Sequence, residues 1–287
     1  MTIDLQALYP KLIQLMLDAV FVVDASNKIV FVSDACESLL GYRPDELIGT
    51  LITDYMHPDD LAATQASIIR VMSGQPHLDF RNRYIRKDGN IVYILWSARW
   101  SEEDGVRIGV ARDVTALWQA EAELRFQAHH DSLTELPNRL LFSDRLASGL
   151  RSAHRHQNML ALLFLDLNDF KAINDIHGHA VGDRVLRTIA RRLESSVRET
   201  DTVARMGGDE FTILLTDIQS QESVFEKVEH ILAAMAKPLG PGFGGISMPS
   251  CSVGVACYPE DGEDADALLS HADSDMYQLK RRLSATG

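Results

Sequence analysis

The stretch MLALLFLDLNDFKAINDIHGHAVGD (residues 159–183) decides how the second half of this 287-residue chain is interpreted. Residues 159–167 are almost continuously apolar, which is typical of a strand covered on both faces. Residues 202–206 and 210–216 have strand composition, and the Gly-Gly-Asp sequence between them predicts a tight hairpin. The remaining predicted elements are amphipathic helices at 184–198, 223–237 and 264–283, and a strand pair or one interrupted strand at 246–259. This half therefore has the pattern of an α/β fold with helices around a central sheet.

Carboxylates lie at the ends of these strands. Asp166 ends the apolar strand, in a position where metal ions and phosphates commonly meet a helix start. A lone aspartate there is more often an N-cap. Asp209 and Glu210 follow Gly207 and Gly208, so bare backbone can approach a phosphate while two carboxylates hold a divalent cation. A Gly-Gly-Asp hairpin taken alone is usually only a turn.

A polar pair follows the apolar strand. Asn174 and Asp183 are separated by a segment with two glycines, Gly178 and Gly182, which permit close backbone approach. A carboxylate accepts hydrogen bonds from the ring N–H and amine of guanine, and an amide both donates and accepts. The alternative is a pair of helix caps around a glycine-containing loop.

Taken in this order, these segments resemble the GGDEF family of diguanylate cyclases. The resemblance covers residues 131–283. It includes DSLTELPNR (131–139), FLDLNDFKAINDIHGHAVGD (164–183), RETDTVARMGGDEF (198–211), SVGVACYP (252–259) and ADSDMYQLK (272–280). It implies a fold like that of the class III nucleotide cyclases, with a central sheet of about five strands flanked by helices. It also implies that two GTP molecules condense into cyclic di-GMP with release of two pyrophosphates.

The resemblance implies roles for individual residues. Asp166 and the Leu167 carbonyl would bind Mg²⁺ (or Mn²⁺) together with Asp209 and Glu210, and these last two would also assist deprotonation of the attacking hydroxyl. Asn174 and Asp183 would bind guanine. The implied phosphate contacts are Asp169, Phe170, Lys171, Gly207, Gly208 and Lys280, with the backbone amides of residues 168–171.

The resemblance further implies feedback and pairing. Arg198 and Asp201 match the family's RxxD inhibitory site, where the product cyclic di-GMP binds. The alternative is an arginine near the C-terminal dipole of a helix. Each domain binds one GTP and offers half an active site, so a homodimer is expected.

Two positions depart from the family pattern. Glu135 stands where DxLTGLPNR has glycine, which is expected to alter the chain path leading into the domain. Ser284 stands where an arginine is expected after Lys280, and Arg281 or Arg282 is the candidate substitute as a phosphate contact.

The first half resembles a PAS domain, an antiparallel sheet with helices on one face. The resemblance rests on strand order and on residues 41–60, 83–94 and 113–115. The cysteine motif of flavin photosensors is absent, and no PAS ligand is identified. His57 is interpreted as a surface or capping histidine, and Trp96 and Trp100 as core or interface residues.

Two predicted helices flank this domain. Residues 115–130 are rich in helix formers, and the heptad-like spacing of Leu117, Leu124 and Ala128 allows a short coiled coil. The alternative is a single helix resting on its own domain. Residues 3–17 predict an amphipathic helix rather than a membrane-binding one.

Composition excludes some functions. With 28 basic and 41 acidic residues the net charge is −13, which argues against a nucleic-acid partner. No apolar run is long enough for a membrane span. The three cysteines are too dispersed for a zinc site or a disulfide framework, so a cytoplasmic location is expected.

The sequence therefore predicts a PAS domain with an N-terminal helix at 1–114, a helical linker at 115–130 and a GGDEF domain at 131–287. The predicted function is a PAS-regulated diguanylate cyclase. The alternatives are a catalytically inactive GGDEF module that binds GTP or cyclic di-GMP as a receptor, and a structural dimeriser. A bifunctional cyclase–phosphodiesterase is not expected in this length of chain.

Overall fold

A computed structural model describes residues 5–240, 242–243 and 246–286 of the chain. The chain divides into two units between Glu123 and Leu124, in the middle of a helix. The finer boundaries at residues 114 and 130 stay predictions. No helix in the described ranges combines the length and the apolar character needed to cross a bilayer.

The first unit is built on a five-stranded antiparallel sheet. Its strands are β1 (Ala19–Asp24), β2 (Ile29–Val32), β3 (His77–Ile85), β4 (Ile91–Ser101) and β5 (Val106–Asp113), in the order β2-β1-β5-β4-β3. Its helices are α1 (Leu5–Leu15), α2 (Ala35–Leu40), α3 (Pro44–Leu47) and α4 (Leu61–Met72), with 3₁₀ turns at Ile52–Tyr55 and Pro58–Asp60. Along β4 every second residue, Val92, Ile94 and Trp96, is buried, so one sheet face carries the core. The predicted PAS architecture is confirmed.

The two flanking helices form as predicted but remain largely exposed. In α1 the apolar residues Leu12 and Leu15 are 48% and 77% exposed. Helix α5 (Thr115–His129) has no buried residue, although Trp118 stacks on Tyr93 with ring centroids 4.9 Å apart. Leu117 is also exposed, so pairing of α5 with a second copy stays a prediction.

The second unit surrounds a four-stranded antiparallel sheet. Its strands are β6 (Met159–Leu167), β7 (Thr202–Gly207), β8 (Glu210–Ile218) and β9 (Cys251–Tyr258), in the order β7-β8-β6-β9. Its helices are α6 (Arg139–His156), α7 (Phe170–His177), α8 (His179–Ser195), α9 (Gln221–Met235) and α10 (Ala265–Thr286). The family-like fold is confirmed, with four strands in the described residues rather than about five. Residues 246–259 supply one strand, because Pro249 has no N–H to donate to a ladder.

Strand β6 is central and explains the apolar run from which the fold was inferred. Leu163 and Leu165 lie in the core that includes α8, whereas Leu162 and Phe164 lie in the core that includes α6 and α10. Both faces of β6 are therefore buried although all its pairing is antiparallel. By the same alternation, Asp166 belongs to the face of Leu162 and Phe164, which α10 covers.

Helix α10 approaches the sheet closely at one glycine. A Cβ built on Gly254 of β9 would lie 2.0 Å from the carbonyl oxygen of Ala272 and 2.3 Å from the amide nitrogen of Met276. Only glycine accommodates this approach. Gly254 thereby sets how near the last turns of α10 come to the end of β6.

Candidate active site

The candidate site is centred on two carboxylates at the edge of the sheet. Asp166 near the end of β6 and Glu210 at the start of β8 are direct partners in the antiparallel register. Residues opposite each other in this way project from the same face, with Cβ atoms about 5 Å apart. Asp166 is 9% exposed, so one of the two charges is substantially removed from water.

The electrostatics of Glu210 reflect this arrangement. Burial raises the pKa of the Glu210 carboxyl above its ordinary value, and the negative charge of Asp166 raises it further. Arg139 opposes the shift, whereas Asp209 and Asp273 add to it. Four acidic groups are thus close enough to interact, which is the electrostatic condition for gathering a cation.

Helix α10 brings a positive charge to this face. The ammonium group of Lys280 forms an ion pair and hydrogen bond with Oδ1 of Asp166. Sequence reasoning placed Lys280 among the phosphate contacts, and the structure places it at the carboxylate expected to bind metal. The guanidinium of Arg281 instead lies over the Tyr277 ring at 6.0 Å, and the side chain of Ser284 lies outside the described residues.

The hairpin between β7 and β8 positions Asp209, the third carboxylate of the candidate site. Gly207 and Gly208 have φ values of 141° and 53°, and the first of these is adopted readily only by glycine. The backbone amide of Leu167 donates to the Asp209 carbonyl at 3.3 Å. This bond holds the hairpin tip against the end of β6, where Asp166 lies.

The oxygen-only donor set fits a hard divalent cation. Carboxylates of Asp166, Asp209 and Glu210 and the Leu167 carbonyl are ligands of the kind that Mg²⁺ and Mn²⁺ prefer. Among the described residues, no three acidic, histidine or cysteine side chains are already arranged as an ion site. The carboxylates would therefore have to reorient when an ion binds.

Arg205 is a site residue that sequence reasoning missed. Its Nε and Nη2 donate to the Gly208 carbonyl at 3.0 and 2.7 Å, and its Nη1 donates to Oδ1 of Asp131 at 2.8 Å. The Arg205 side chain is 10% exposed and that of Asp131 is 21% exposed. One guanidinium thus ties the hairpin to the segment that begins the second unit. The partners are 74 residues apart, so no local pattern signals the contact.

Asn174 and Asp183 lie on the two packed helices α7 and α8. A Cβ built on Gly182 would lie 1.9 Å from Oδ1 of Asn174, so the Asn174 amide rests directly on Gly182, next to Asp183 in the chain. Gly178, with φ 84°, makes the turn between the helices. The predicted close approach is found at Gly182, where the Asn174 side chain packs next to Asp183, whereas a Cβ on Gly178 would meet no described atom within 4 Å.

The start of α7 presents backbone amides. Asp169 has a left-handed φ of 57° and forms no side-chain cap, so the first amides of α7 have no side-chain acceptor from it. The expectation for residue 168 was wrong, because the Asn168 amide donates to the Ser250 carbonyl at 2.8 Å. Lys171 lies exposed on the first turn of α7. The amides available for a phosphate are therefore those of Asp169, Phe170 and Lys171.

Glu135 has a left-handed backbone conformation, which glycine adopts most readily. Its φ is 62°, in the left-handed region, and its amide donates to the Asp131 carbonyl at 2.8 Å. His130 Nδ1 lies 2.8 Å from the Glu135 carbonyl. The turn therefore carries backbone strain, and an altered path leading into the domain stays a prediction.

Arg198 and Asp201 lie in the turn between α8 and β7. The Asp201 carboxylate accepts from the amides of Arg198 and Thr216 at 3.0 and 3.2 Å. The exposed Arg198 side chain lines a cleft of about 240 Å³ together with Arg145 and Asp201. Arg198 lies three residues beyond the end of α8, which ends at Ser195.

In the first unit, His57 caps the 3₁₀ turn that follows it, with its Nδ1 accepting from the Asp59 amide at 3.4 Å. This agrees with the capping interpretation. Trp96 is buried and donates from Nε1 to Oδ1 of Asn82 at 2.9 Å, whereas Trp100 is half-buried.

Comparison with known families agrees with this geometry. A family model described as "Diguanylate cyclase, GGDEF domain" matches residues 128–285. The chain belongs to the GGDEF family. A second family model, described as a PAS fold, matches residues 29–111 of the first unit.

Individual relatives cover the second unit. The diguanylate cyclase TpbB of Pseudomonas aeruginosa is 46% identical over 170 residues, which are 58% of this chain and 39% of TpbB. The chain thus spans about two fifths of that relative. A solved structure of the TpbB GGDEF domain has a TM-score of 0.52 and 46% identity, covering 54% of this chain and 90% of that one. The structure of the coiled coil and GGDEF domain of DgcB from Caulobacter crescentus, solved with c-di-GMP, has a TM-score of 0.52 and 27% identity. It covers 58% of this chain and 88% of that one.

Proposed function

We propose that the second unit of this GGDEF protein is a diguanylate cyclase, which condenses two GTP molecules into cyclic di-GMP and two pyrophosphates. The observation that carries the proposal is the opposition of Asp166 and Glu210 beside the Gly207–Gly208 hairpin. Membership of the family and the likeness to TpbB support the same reaction.

In this reaction the 3′-oxygen of each GTP attacks the α-phosphorus of the other. A new P–O bond forms, the bond to the bridging oxygen of pyrophosphate breaks, and the hydroxyl proton passes to Asp209 or Glu210. Asp166, Asp209, Glu210 and the Leu167 carbonyl would hold Mg²⁺ or Mn²⁺, which supplies positive charge against the phosphates. Catalysis by the chain consists mostly of positioning the two reactants.

Substrate binding uses the remaining site residues. Asn174 and Asp183 bind the guanine edge, and the packing of Asn174 on Gly182 fixes where that edge lies. The amides of Asp169, Phe170 and Lys171 at the N-terminus of α7 donate to the phosphate oxygens, and the bare backbone of Gly207 and Gly208 lets the phosphates approach the hairpin. Lys171 and Lys280 add positive charge to the same phosphates.

A homodimer completes the proposed site, because one unit binds one GTP and the reaction needs two facing each other. The PAS unit regulates the cyclase through α5, which crosses the division between the units. Cyclic di-GMP feeds back by binding at Arg198 and Asp201 in the cleft beside β7.

The proposal is tested by incubating the full chain with GTP and MgCl₂ and identifying products by chromatography and mass spectrometry. Formation of cyclic di-GMP with two pyrophosphates per product supports the cyclase. GTP binding without turnover at high protein concentration contradicts it and favours the receptor alternative. If the chain neither binds GTP nor turns it over, the structural dimeriser is favoured.

A further inference from the structure

The first unit contains a buried arginine whose charge is not paired. Arg107 on β5 is 7% exposed. Its Nη2 donates to Oδ1 of Asn27 at 3.2 Å. Its Nη1 is fully buried and has no hydrogen-bond acceptor among the described residues. Arginine keeps its proton in proteins, so a full positive charge remains in the core.

Arg107 lines a partly open cavity of about 50 Å³ between the sheet and α4. Most of the wall is apolar, including Ile52, Met56, Ile68 and Trp96. No aspartate or glutamate is among the lining residues. The cavity therefore combines an apolar wall with one cation that lacks a counter-ion.

The amide of Asn82 and the hydroxyl of Ser67 in this wall already have partners, and the buried Tyr84 side chain interacts with Asn82. The Asn82 amide accepts from Trp96 Nε1 at 2.9 Å and donates to Thr64 Oγ1 at 3.0 Å. Ser67 Oγ lies 2.7 Å from Nδ1 of His77. Nη1 of Arg107 is thus a buried donor in this wall that has no acceptor among the described residues. Burying a charge is strongly unfavourable unless the charge is paired and hydrogen-bonded.

We propose that this cavity binds a small aliphatic carboxylate of two or three carbons, whose oxygens accept from Arg107. A carboxylate supplies both the missing negative charge and the acceptor for Nη1. Its short carbon chain packs against Met56, Ile52 and Trp96. One water needs about 10–15 Å³ of such space, so the cavity holds only a few non-hydrogen atoms. The inference concerns the first unit alone and does not depend on cyclase activity.

Tryptophan fluorescence gives a selective readout. The three tryptophans of the chain, Trp96, Trp100 and Trp118, all precede the division at Glu123, and Trp96 lines the cavity. The full chain is titrated with sodium propionate, with neutral propionamide and with sodium chloride, and its thermal unfolding is followed by this fluorescence. Propionate is expected to change the emission saturably and to raise the unfolding temperature by roughly 5 °C at about ten times its dissociation constant.

Two variants locate the binding. Arg107→Met keeps an apolar stem but removes the charge, and is expected to abolish the propionate response. Arg99→Met removes an exposed arginine from the neighbouring strand β4 and is expected to respond as the parent does. Arg107→Lys is expected to retain a weaker response, since it keeps the charge without the guanidinium fork.

The outcomes against the proposal are equally definite. The proposal is overturned if propionate changes neither the fluorescence nor the unfolding temperature of the parent chain. It is also overturned if propionamide or chloride shifts the unfolding temperature as much as propionate does. A full response in folded Arg107→Met also overturns it. If Arg107→Met does not fold, the contrast between propionate and propionamide on the parent chain decides.

Discussion

Asp166 and Glu210 face each other across β6 and β8, on the sheet side that α10 covers. Like charges directly opposite each other destabilise a sheet by a fraction of a kcal/mol, about 0.2–1. Burial and this repulsion both raise the pKa of Glu210. The fold thus tolerates an unfavourable arrangement where the chemistry is proposed to occur, as is common at functional sites.

We therefore predict that Asp166→Asn and Glu210→Gln each lower cyclic di-GMP formation at least about 100-fold. Glu210→Gln is expected to leave stability unchanged or slightly increased, whereas Asp166→Asn also loses the ion pair with Lys280 and is expected to be less stable. Activity follows from product formation, and stability from urea unfolding of the same preparations. Glu226→Gln, which neutralises an exposed carboxylate of α9, is the matched control. Normal turnover in either site variant would exclude its carboxylate from the mechanism.

The local patterns of the chain predicted its elements well, because each depends on neighbouring residues. The alternation of β4, the Gly-Gly hairpin and the glycines next to Asn174 and Asp183 all have local physical causes. The same holds for the burial of β6 on both faces. The apolar run of β6 does not predict the direction of the neighbouring strands, and both β8 and β9 are antiparallel to it.

Contacts between segments that are distant in the sequence could not be predicted from local patterns. The pairing of Lys280 with Asp166 depends on where Gly254 lets α10 lie, and the link from Arg205 to Asp131 joins residues 74 positions apart. The burial of the unpaired Arg107 could not be predicted from the sequence either, since an arginine in a strand ordinarily points to solvent. Its burial follows from the packing of the whole first unit.

The Arg205–Asp131 link predicts a measurable coupling. Because both side chains are largely buried, Arg205→Met is expected to lower the free energy of unfolding by about 3–5 kcal/mol and to reduce turnover by loosening the hairpin. Asp131→Asn should cost less, since the amide oxygen still accepts. Urea unfolding of both single variants and the double variant gives the coupling energy. Strictly additive effects would show that the two side chains do not act together.

The same pair predicts a pH dependence. Burial raises the pKa of the Asp131 carboxyl, but hydrogen bonds from Thr134 and Arg205 outweigh this, and the pKa lies below its ordinary value. The stability contributed by this carboxylate is therefore present above the unfolded-state pKa of about 3.9 and is lost as the pH falls through the lower folded-state pKa. The stability gap between the parent and Asp131→Asn is expected to narrow below about pH 4. A gap that is constant from neutral to acid pH would contradict the assignment.

Glu135 offers a stabilising substitution. Its φ of 62° strains a residue with a Cβ, and its side chain is exposed. Glu135→Gly is expected to raise the free energy of unfolding by about 0.5–1 kcal/mol, after allowance for the greater freedom of unfolded glycine. Glu135→Ala, which keeps the Cβ, is the control and should show no such gain. Equal stabilities of the two variants in urea unfolding would mean that the turn is unstrained.

Arg198 provides the cleanest test of product feedback. Both carboxylate oxygens of Asp201 hold backbone amides of the turn, so replacing Asp201 would also alter the fold, whereas the exposed Arg198 side chain lines the cleft. If Arg198 binds cyclic di-GMP, Arg198→Ala is expected to raise the inhibition constant about 10- to 100-fold, as loss of a charged hydrogen bond predicts. Initial turnover should stay at the parental value, because the turn itself is intact. The measurement is initial rate against added cyclic di-GMP, with Arg155→Ala on the exposed side of α6 as control. Identical inhibition curves for the two variants would show that the product acts elsewhere.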